Sequence, residues 1–278
     1  MFCSTRTRLA RVRNKIKREN MNGNEIRNFR PLKFNEVVGR ENQQKLERIQ
    51  HQLLKGRVPD PLLIAGIYGY CKTSVARLIL RSLDCRSRDP VTADPCGLCQ
   101  DCQCFGKYYH GYGTPFRRFE YDCTTIGRPE IISIMQEHAF DDDVAVFLDE
   151  IHHLHEKFSQ EPLLKFVEDF DGILLAAIME DRLGELIPPL RERFDVLKLI
   201  PPSEEEIVDF FLRKTSEWKI IAPPELIRLL VLESGLSFRV CLRVLGAAAD
   251  RDDRTLTKRL IQEMLGIDAS TDDEGGVQ

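Results

Sequence analysis

Eight consecutive residues carry the clearest chemistry in this chain. Gly66-Ile67-Tyr68-Gly69-Tyr70-Cys71-Lys72-Thr73 follow a short apolar run and open a helical stretch. They match the pattern Gly, four residues, Gly, Lys, Ser or Thr at every required position but one. Such a loop surrounds phosphates with backbone N–H groups at a helix N-terminus. Lys72 would neutralise the outer phosphates, and the Thr73 hydroxyl would ligate Mg²⁺. Gly66, Gly69, Tyr70, Cys71, Lys72, Thr73 and Ser74 are therefore the expected nucleotide contacts. The departure is Cys71, which stands where the second glycine belongs. Its Cβ would crowd the phosphates or resist the backbone angle glycine supplies, at about 1–3 kcal/mol, roughly a ten- to hundredfold loss of affinity. The bland alternative is an ordinary strand–turn–helix joint with a chance Lys-Thr.

A second motif is Phe147-Leu148-Asp149-Glu150, two carboxylates at the end of an apolar run. Ligands of open α/β sheets collect at the carboxyl ends of the strands. Asp149 suits a place in the Mg²⁺ shell, and Glu150 could orient and deprotonate an attacking water. Two acids at a strand end are common, and the pair gains its weight from the upstream phosphate loop. His152, His153 and His155 read as surface or supporting groups rather than metal ligands.

The third constellation is Cys85, Cys96, Cys99 and Cys102, four of nine cysteines, with Cys104 as a spare for Cys102. Two of the three gaps have the short spacing tetrahedral Zn²⁺ favours. A secretory apolar segment is missing, so the cysteines point to a reducing, cytoplasmic compartment and to metal rather than disulfides. Free thiols without metal are the other reading. Four thiolates leave no open coordination position, so catalysis at this zinc is not expected.

The elements that must position these residues follow from the patterning. The chain has 278 residues, 42% hydrophobic and 30% charged, the balance of a globular protein. No apolar run approaches the ~18–20 residues of a membrane helix, so no membrane partner is expected. Short apolar runs at 62–65, 144–148 and 173–178 read as strands, and residues 116–121 read as another. They alternate with helices from near Glu41, over 73–83, 129–139 and 160–167, and predict an α/β fold with a largely parallel sheet. After Pro201-Pro202 the period is helical to about Leu265, with Ser203 as N-cap and breaks at Pro223-Pro224 and Gly235.

The expected organisation is a basic disordered arm at 1–28, an α/β nucleotide domain at 29–201 with a zinc module at 85–104, a helical lid at 202–267 and an acidic disordered tail at 268–278. Seven Arg or Lys face one acid, Glu19, within residues 1–20. That arm could be a targeting peptide, a surface for nucleic acid or another anion, or a consequence of start-codon choice, Met21 being the alternative start.

The chain resembles the AAA+ clamp-loader family typified by the gamma/tau subunit of bacterial DNA polymerase III. The resemblance rests on Arg30-Pro31-Leu32-Lys33-Phe34-Asn35-Glu36-Val37-Val38-Gly39-Arg40-Glu41, Gly69 to Arg77, Asp94-Pro95-Cys96-Gly97-Leu98-Cys99, Leu148 to His152 and Leu163 to Glu168. It covers roughly residues 29–266. It implies a P-loop AAA+ domain followed by a helical lid, with ATP, Mg²⁺ and a structural Zn²⁺ as cofactors. Val37 and Val38 would line the adenine pocket. Arg193 would be the arginine finger that reaches a neighbour's ATP, and Arg239 the lid arginine at the outer phosphates. The implied role is an ATPase that helps place a sliding clamp on primed DNA during replication, with other clamp-loader subunits, the clamp, primed DNA and the polymerase as partners.

Three departures stand beside the resemblance. Glu192 takes the place of a family serine, and Ala176-Ala177-Ile178-Met179 offers no small polar side chain where the family has its strand-end sensor. The family's helical collar does not follow the lid in this sequence. Two rival readings stay open: a nonhydrolysing scaffold resembling the delta-prime subunit, and another AAA+ remodeller of DNA, such as a helicase loader or branch-migration motor.

Overall fold

The computed structural model describes residues 21–104, 117–126, 128–138, 144–154 and 157–267. The chain divides into two units, Pro31–Pro201 and a second made of Met1–Arg30 with Pro202–Gln278. Residues 1–20 and 268–278, expected as disordered tails, lie outside the described residues.

The first unit is built on five strands: β1 (Leu62–Gly66), β2 (Arg117–Asp122), β3 (Val144–Asp149), β4 (Ile173–Met179) and β5 (Asp195–Lys198). Their order is β2-β3-β4-β1-β5, and every pairing is parallel. This is the α/β sheet expected from the apolar runs. β5 adds a fifth strand to the four expected. Its four residues, Asp-Val-Leu-Lys, bury little but Leu197, so no apolar run announces it.

Period-two alternation splits each central strand between two cores. Leu62, Ile64, Phe147, Leu175 and Ala177 face one, and Leu63, Ala65, Val146, Leu148, Ala176 and Ile178 face the other. Both faces are covered, which is why β1 and β3 read as continuous apolar runs.

Before the second unit's four helices the chain forms α1 (Gly23–Arg27), α2 (Arg40–Leu54), α3 (Lys72–Asp84), α4 (Gln100–Cys104), α5 (Arg128–His138), α6 (Lys157–Asp169) and α7 (Pro188–Arg191). α2 and α3 cover one face of the sheet through Leu46, Ile49, Val75 and Ile79. α6 and α7 cover the other through Leu163, Phe166 and Leu190.

The register gathers the carboxyl ends of the strands. Gly66 pairs with Met179, Asp122 with Asp149 and Leu148 with Ala176. The loop after β1 and the acids ending β3 therefore share one sheet edge.

The second unit contains α8 (Glu204–Glu217), α9 (Pro224–Glu233), α10 (Phe238–Ala249) and α11 (Lys258–Leu265), together with α1. Ser203 caps α8 by accepting from the Glu206 N–H at 3.3 Å, while its own N–H donates back to Glu206 at 2.9 Å.

Residues 21–28 depart from the expected disordered arm. α1 packs on α10 so closely that a Cβ on Gly23 would sit 2.2 Å from the Gly246 carbonyl. Asp250 accepts from the Gly23 N–H at 2.9 Å and from Arg27 at 2.6 Å. Phe29 and Arg30 also belong to this unit rather than to the sheet, and the Phe29 ring meets Trp218 edge-on at 5.4 Å. A five-residue helix has no hydrophobic period to read and is marginal alone in water. Its order is tertiary.

Candidate functional site

β1 ends in the phosphate-loop sequence, and α3 begins at Lys72. A Cβ on Gly66 would press on Leu199 at 3.3 Å, a tight approach that favours glycine there. Gly69 has φ +82° and Cys71 has φ +53° with ψ +9°. Cys71 thus adopts the left-handed backbone that the pattern normally gives to glycine. It stands at the N-cap of α3, where its carbonyl accepts from Val75 at 2.8 Å.

Thr73 and Asp149, 76 positions apart, are in direct contact. The Thr73 hydroxyl donates to Asp149 Oδ2 at 2.8 Å. Burial pushes the Asp149 carboxyl above its ordinary value, the Thr73 bond opposes this, and the Glu150 charge adds to it. Two hard oxygen ligands side by side, the Thr73 hydroxyl and a carboxylate that is costly to leave bare, suit Mg²⁺. Lys72 is buried, and its ammonium donates to the Ile67 carbonyl at 3.2 Å. It also lies 3.3 Å from Met179 Sδ, the residue that ends β4 where a small polar group was expected.

Glu150 follows Asp149 in a left-handed conformation, φ +53° and ψ +46°, and its N–H donates to Asp149 Oδ1 at 3.1 Å. Its Oε2 lies 3.5 Å from His152 Nδ1. His152 and His153 stay within this neighbourhood with their rings 4.4 Å apart, and neither joins the cysteine cluster. His155 lies outside the described residues.

The remaining expected contacts fall elsewhere. Val37 is buried and Val38 half-buried in the segment before α2. Asn42 and Gln43 hold that segment. Asn42 donates to the Val38 and Ile200 carbonyls at 2.8 Å each and accepts from the Ile200 N–H at 2.8 Å. Gln43 donates to the Phe34 carbonyl at 2.9 Å and to that of Val37. Arg193 follows α7, where it donates to the Pro189 carbonyl at 2.7 Å and pairs with Glu168. Buried Gln160 anchors the approach to α7, donating to the Glu185 carbonyl at 2.9 Å and accepting from the Ile187 N–H at 2.8 Å. Asn42, Gln43 and Gln160 were not singled out from the sequence, because single amides on helices give no spacing signal. Arg239 is exposed at the start of α10 in the second unit.

The sulfurs of Cys85, Cys96, Cys99 and Cys102 all lie within 4.8 Å of one another, and two of the pairs are at 4.0 Å. A tetrahedron with Zn–S near 2.3 Å spaces its sulfurs by about 3.8 Å, so the cage fits. Backbone N–H groups point at the sulfurs, from Cys96 to Cys85 at 3.1 Å and from Leu98 and Cys99 to Cys96 at 3.3 Å. The Cys85 thiol is pulled down to about 5, chiefly because Cys102 donates to it, and Cys102 is correspondingly pushed up. The Cys104 side chain, the suggested spare, lies outside the described residues.

A parallel sheet in this order, a phosphate loop leaving β1 and an acid pair ending β3 define a P-loop protein of the AAA+ class. The family described as "DNA polymerase III, delta subunit" matches residues 41–203, and the chain belongs to that family. Among individual relatives, the DNA polymerase III subunit gamma/tau of Mycobacterium tuberculosis is 30% identical over 182 residues, covering 63% of this chain and 30% of the relative. The tau/gamma subunit of Haemophilus influenzae is 28% identical over 250 residues, covering 87% and 34%. The gamma subunit of Buchnera aphidicola (subsp. Schizaphis graminum) is 26% identical over 246 residues, covering 87% and 65%. The chain thus spans about a third of the length of the first two of these relatives. Among solved structures, a point variant of Thermotoga maritima RuvB superposes with a TM-score of 0.62 at 21% identity, covering 86% of this chain and 72% of that one. At that identity the likeness is one of fold. No helix of the described residues is long and apolar enough to cross a membrane.

Proposed function

We propose that the chain is an ATP-binding, ATP-hydrolysing clamp-loader subunit that helps place a sliding clamp on primed DNA during replication. The observation that carries the reading is the 2.8 Å hydrogen bond from Thr73 to Asp149, in a chain of the DNA polymerase III family. It joins the end of the phosphate loop to the acid pair, which is what a Mg²⁺–nucleotide site requires. Thr73 and Asp149 would hold the ion, which when bound supplies positive charge to the phosphates. Lys72 would leave the Ile67 carbonyl for the outer phosphates. Gly66, Gly69, Tyr70, Cys71 and Ser74 would line the phosphate path, Val37 and Val38 the adenine, and Arg239 the lid side. Glu150 would orient the attacking water. Arg193 would act in trans, on the nucleotide of a neighbouring subunit. Zn²⁺ on Cys85, Cys96, Cys99 and Cys102 would cross-link the loop after α3. Partners are further clamp-loader subunits, the clamp and primed DNA.

The nonhydrolysing scaffold is the second reading, and two observations favour it. Cys71 holds a strained backbone angle, and the Met179 thioether sits on Lys72. ATP binding and hydrolysis, measured with and without clamp and primed DNA, separate the two. Binding with stimulated turnover supports the ATPase; binding or non-binding without turnover supports the scaffold. Failure to capture a sliding clamp in either state removes both.

A further inference from the structure

His152 stands three positions beyond Asp149, on the single 3-10 turn Ile151–His153 that leaves β3. The residue is 8% exposed. Its Nδ1 is buried and finds no hydrogen-bond partner among the described residues, and the same is true of Glu150 Oε2. These two atoms lie 3.5 Å apart. A buried carboxylate oxygen that accepts nothing loses its hydration without compensation, and so does a buried ring nitrogen. A single proton carried on Nδ1 would satisfy both atoms at once, with the pair closing by a few tenths of an ångström from 3.5 Å.

The surroundings fit that arrangement. Burial holds the ring below the ordinary histidine value, so it is neutral and carries one N–H. Besides Glu150, the titratable and charged groups around it are His153, Glu185, Arg182 and Lys72. Only a ring held in one tautomer can serve the carboxylate, because the other tautomer sets a lone pair against a lone pair. Glu150 itself has a left-handed backbone, a conformation a non-glycine residue keeps only where its surroundings fix it.

We propose that His152 is a positioning residue whose Nδ1–H donates to Glu150 Oε2 and fixes the carboxylate so that its other oxygen, Oε1, is presented to water. The inference rests on the reading of Glu150 as the water-orienting acid. It differs from the sequence expectation for this histidine by giving it one definite partner. His152 touches no substrate; it acts through Glu150.

Two measurements on the full chain test it. The first is the ring-nitrogen NMR of His152 at about pH 7.5, in the wild type and in Glu150→Gln. The Nδ1-protonated tautomer is expected in the wild type, with the Nδ1 resonances shifted in the variant. An Nε2-protonated ring overturns the proposal. The second is steady-state ATPase of His152→Leu and His152→Asn, with clamp and primed DNA. Leu removes the donor at similar volume, whereas the Asn amide places an N–H near the Nδ1 position. Leu should lower kcat roughly ten- to a hundredfold, as for a lost hydrogen bond to a charged group, and leave the KM for ATP within about twofold. Asn should keep kcat within a few-fold. A Leu variant at the wild-type kcat, or an Asn variant as poor as Leu, overturns the assignment. If the Leu variant does not fold, the tautomer and the Asn variant decide. If the wild type hydrolyses no ATP, the water-orienting role of Glu150 fails, while the tautomer still decides whether the His152–Glu150 bond exists.

Discussion

Cys71 holds the backbone angle that the phosphate loop needs, but without the freedom glycine brings to it. Keeping a side chain in that region costs on the order of 1–3 kcal/mol. Cys71→Gly should therefore bind ATP as tightly as the wild type or up to about ten- to a hundredfold more tightly, and Lys72→Ala should lose binding. Titration calorimetry of both variants checks this, and weaker binding by Cys71→Gly would show that the thiol is used. Asp149 offers a test by pH. Its folded-state value is raised, chiefly by burial, so its ionisation opposes folding. The penalty is absent below the ordinary carboxylate range and complete once pH has passed the raised value. Asp149→Asn should hence match the wild-type Tm at about pH 3 and exceed it by roughly 1–3 °C at about pH 7.5, without Mg²⁺ or nucleotide. Melting curves at the two pH values check the sign.

At the scale of elements, two short segments owe their order to what they contact. The loop after α3 is organised around four sulfurs within 4.8 Å of one another. Protein purified without chelator should contain about one zinc per chain, and Cys85→Ser should lose it and lower Tm by roughly 5 °C or more. Metal analysis with thiol titration decides; no zinc and four freely reacting thiols would sink the metal assignment. Helix α1 depends on close approach instead. A methyl on Gly23 would meet the Gly246 carbonyl and the Asp250 carboxylate, so Gly23→Ala should destabilise the second unit by about 1–3 kcal/mol, the scale of overpacking. Urea denaturation of the full chain should show the loss, and an unchanged midpoint would mean that α1 does not pack as described.

At the scale of the whole molecule, the proposed roles would place Arg193 and Glu150 on opposite sides of an interface between subunits. Arg193 now pairs with Glu168 on its own surface, whereas Glu150 lies beside its own phosphate loop. An arginine that stabilises charge only in the transition state lowers turnover when removed and leaves ATP binding nearly unchanged. Arg193→Ala and Glu150→Gln should each reduce kcat roughly a hundredfold or more with KM for ATP little altered. Mixed together, they should regain activity at interfaces that join an intact Glu150 to an intact Arg193. Arg193→Ala hydrolysing at the wild-type rate removes the finger assignment.

Much of this is legible in the sequence. The phosphate loop, the acids of β3 and the four cysteines were readable because each depends on residue type at short local spacing, and the apolar runs of β1 and β3 were readable because both sheet faces are covered. What only the tertiary structure decided is of another kind. It brought Thr73 onto Asp149 across 76 positions and set Met179 against Lys72. It tied the Val37–Val38 segment through Asn42 and Gln43, paired the short β5 with β1 and drew α1 out of the supposed arm onto α10. None of these leaves a periodic trace. Each is a contact between residues far apart in the chain, stabilised by burial or by one satisfied polar group, and such contacts exist only once the sheet and helices have formed around them.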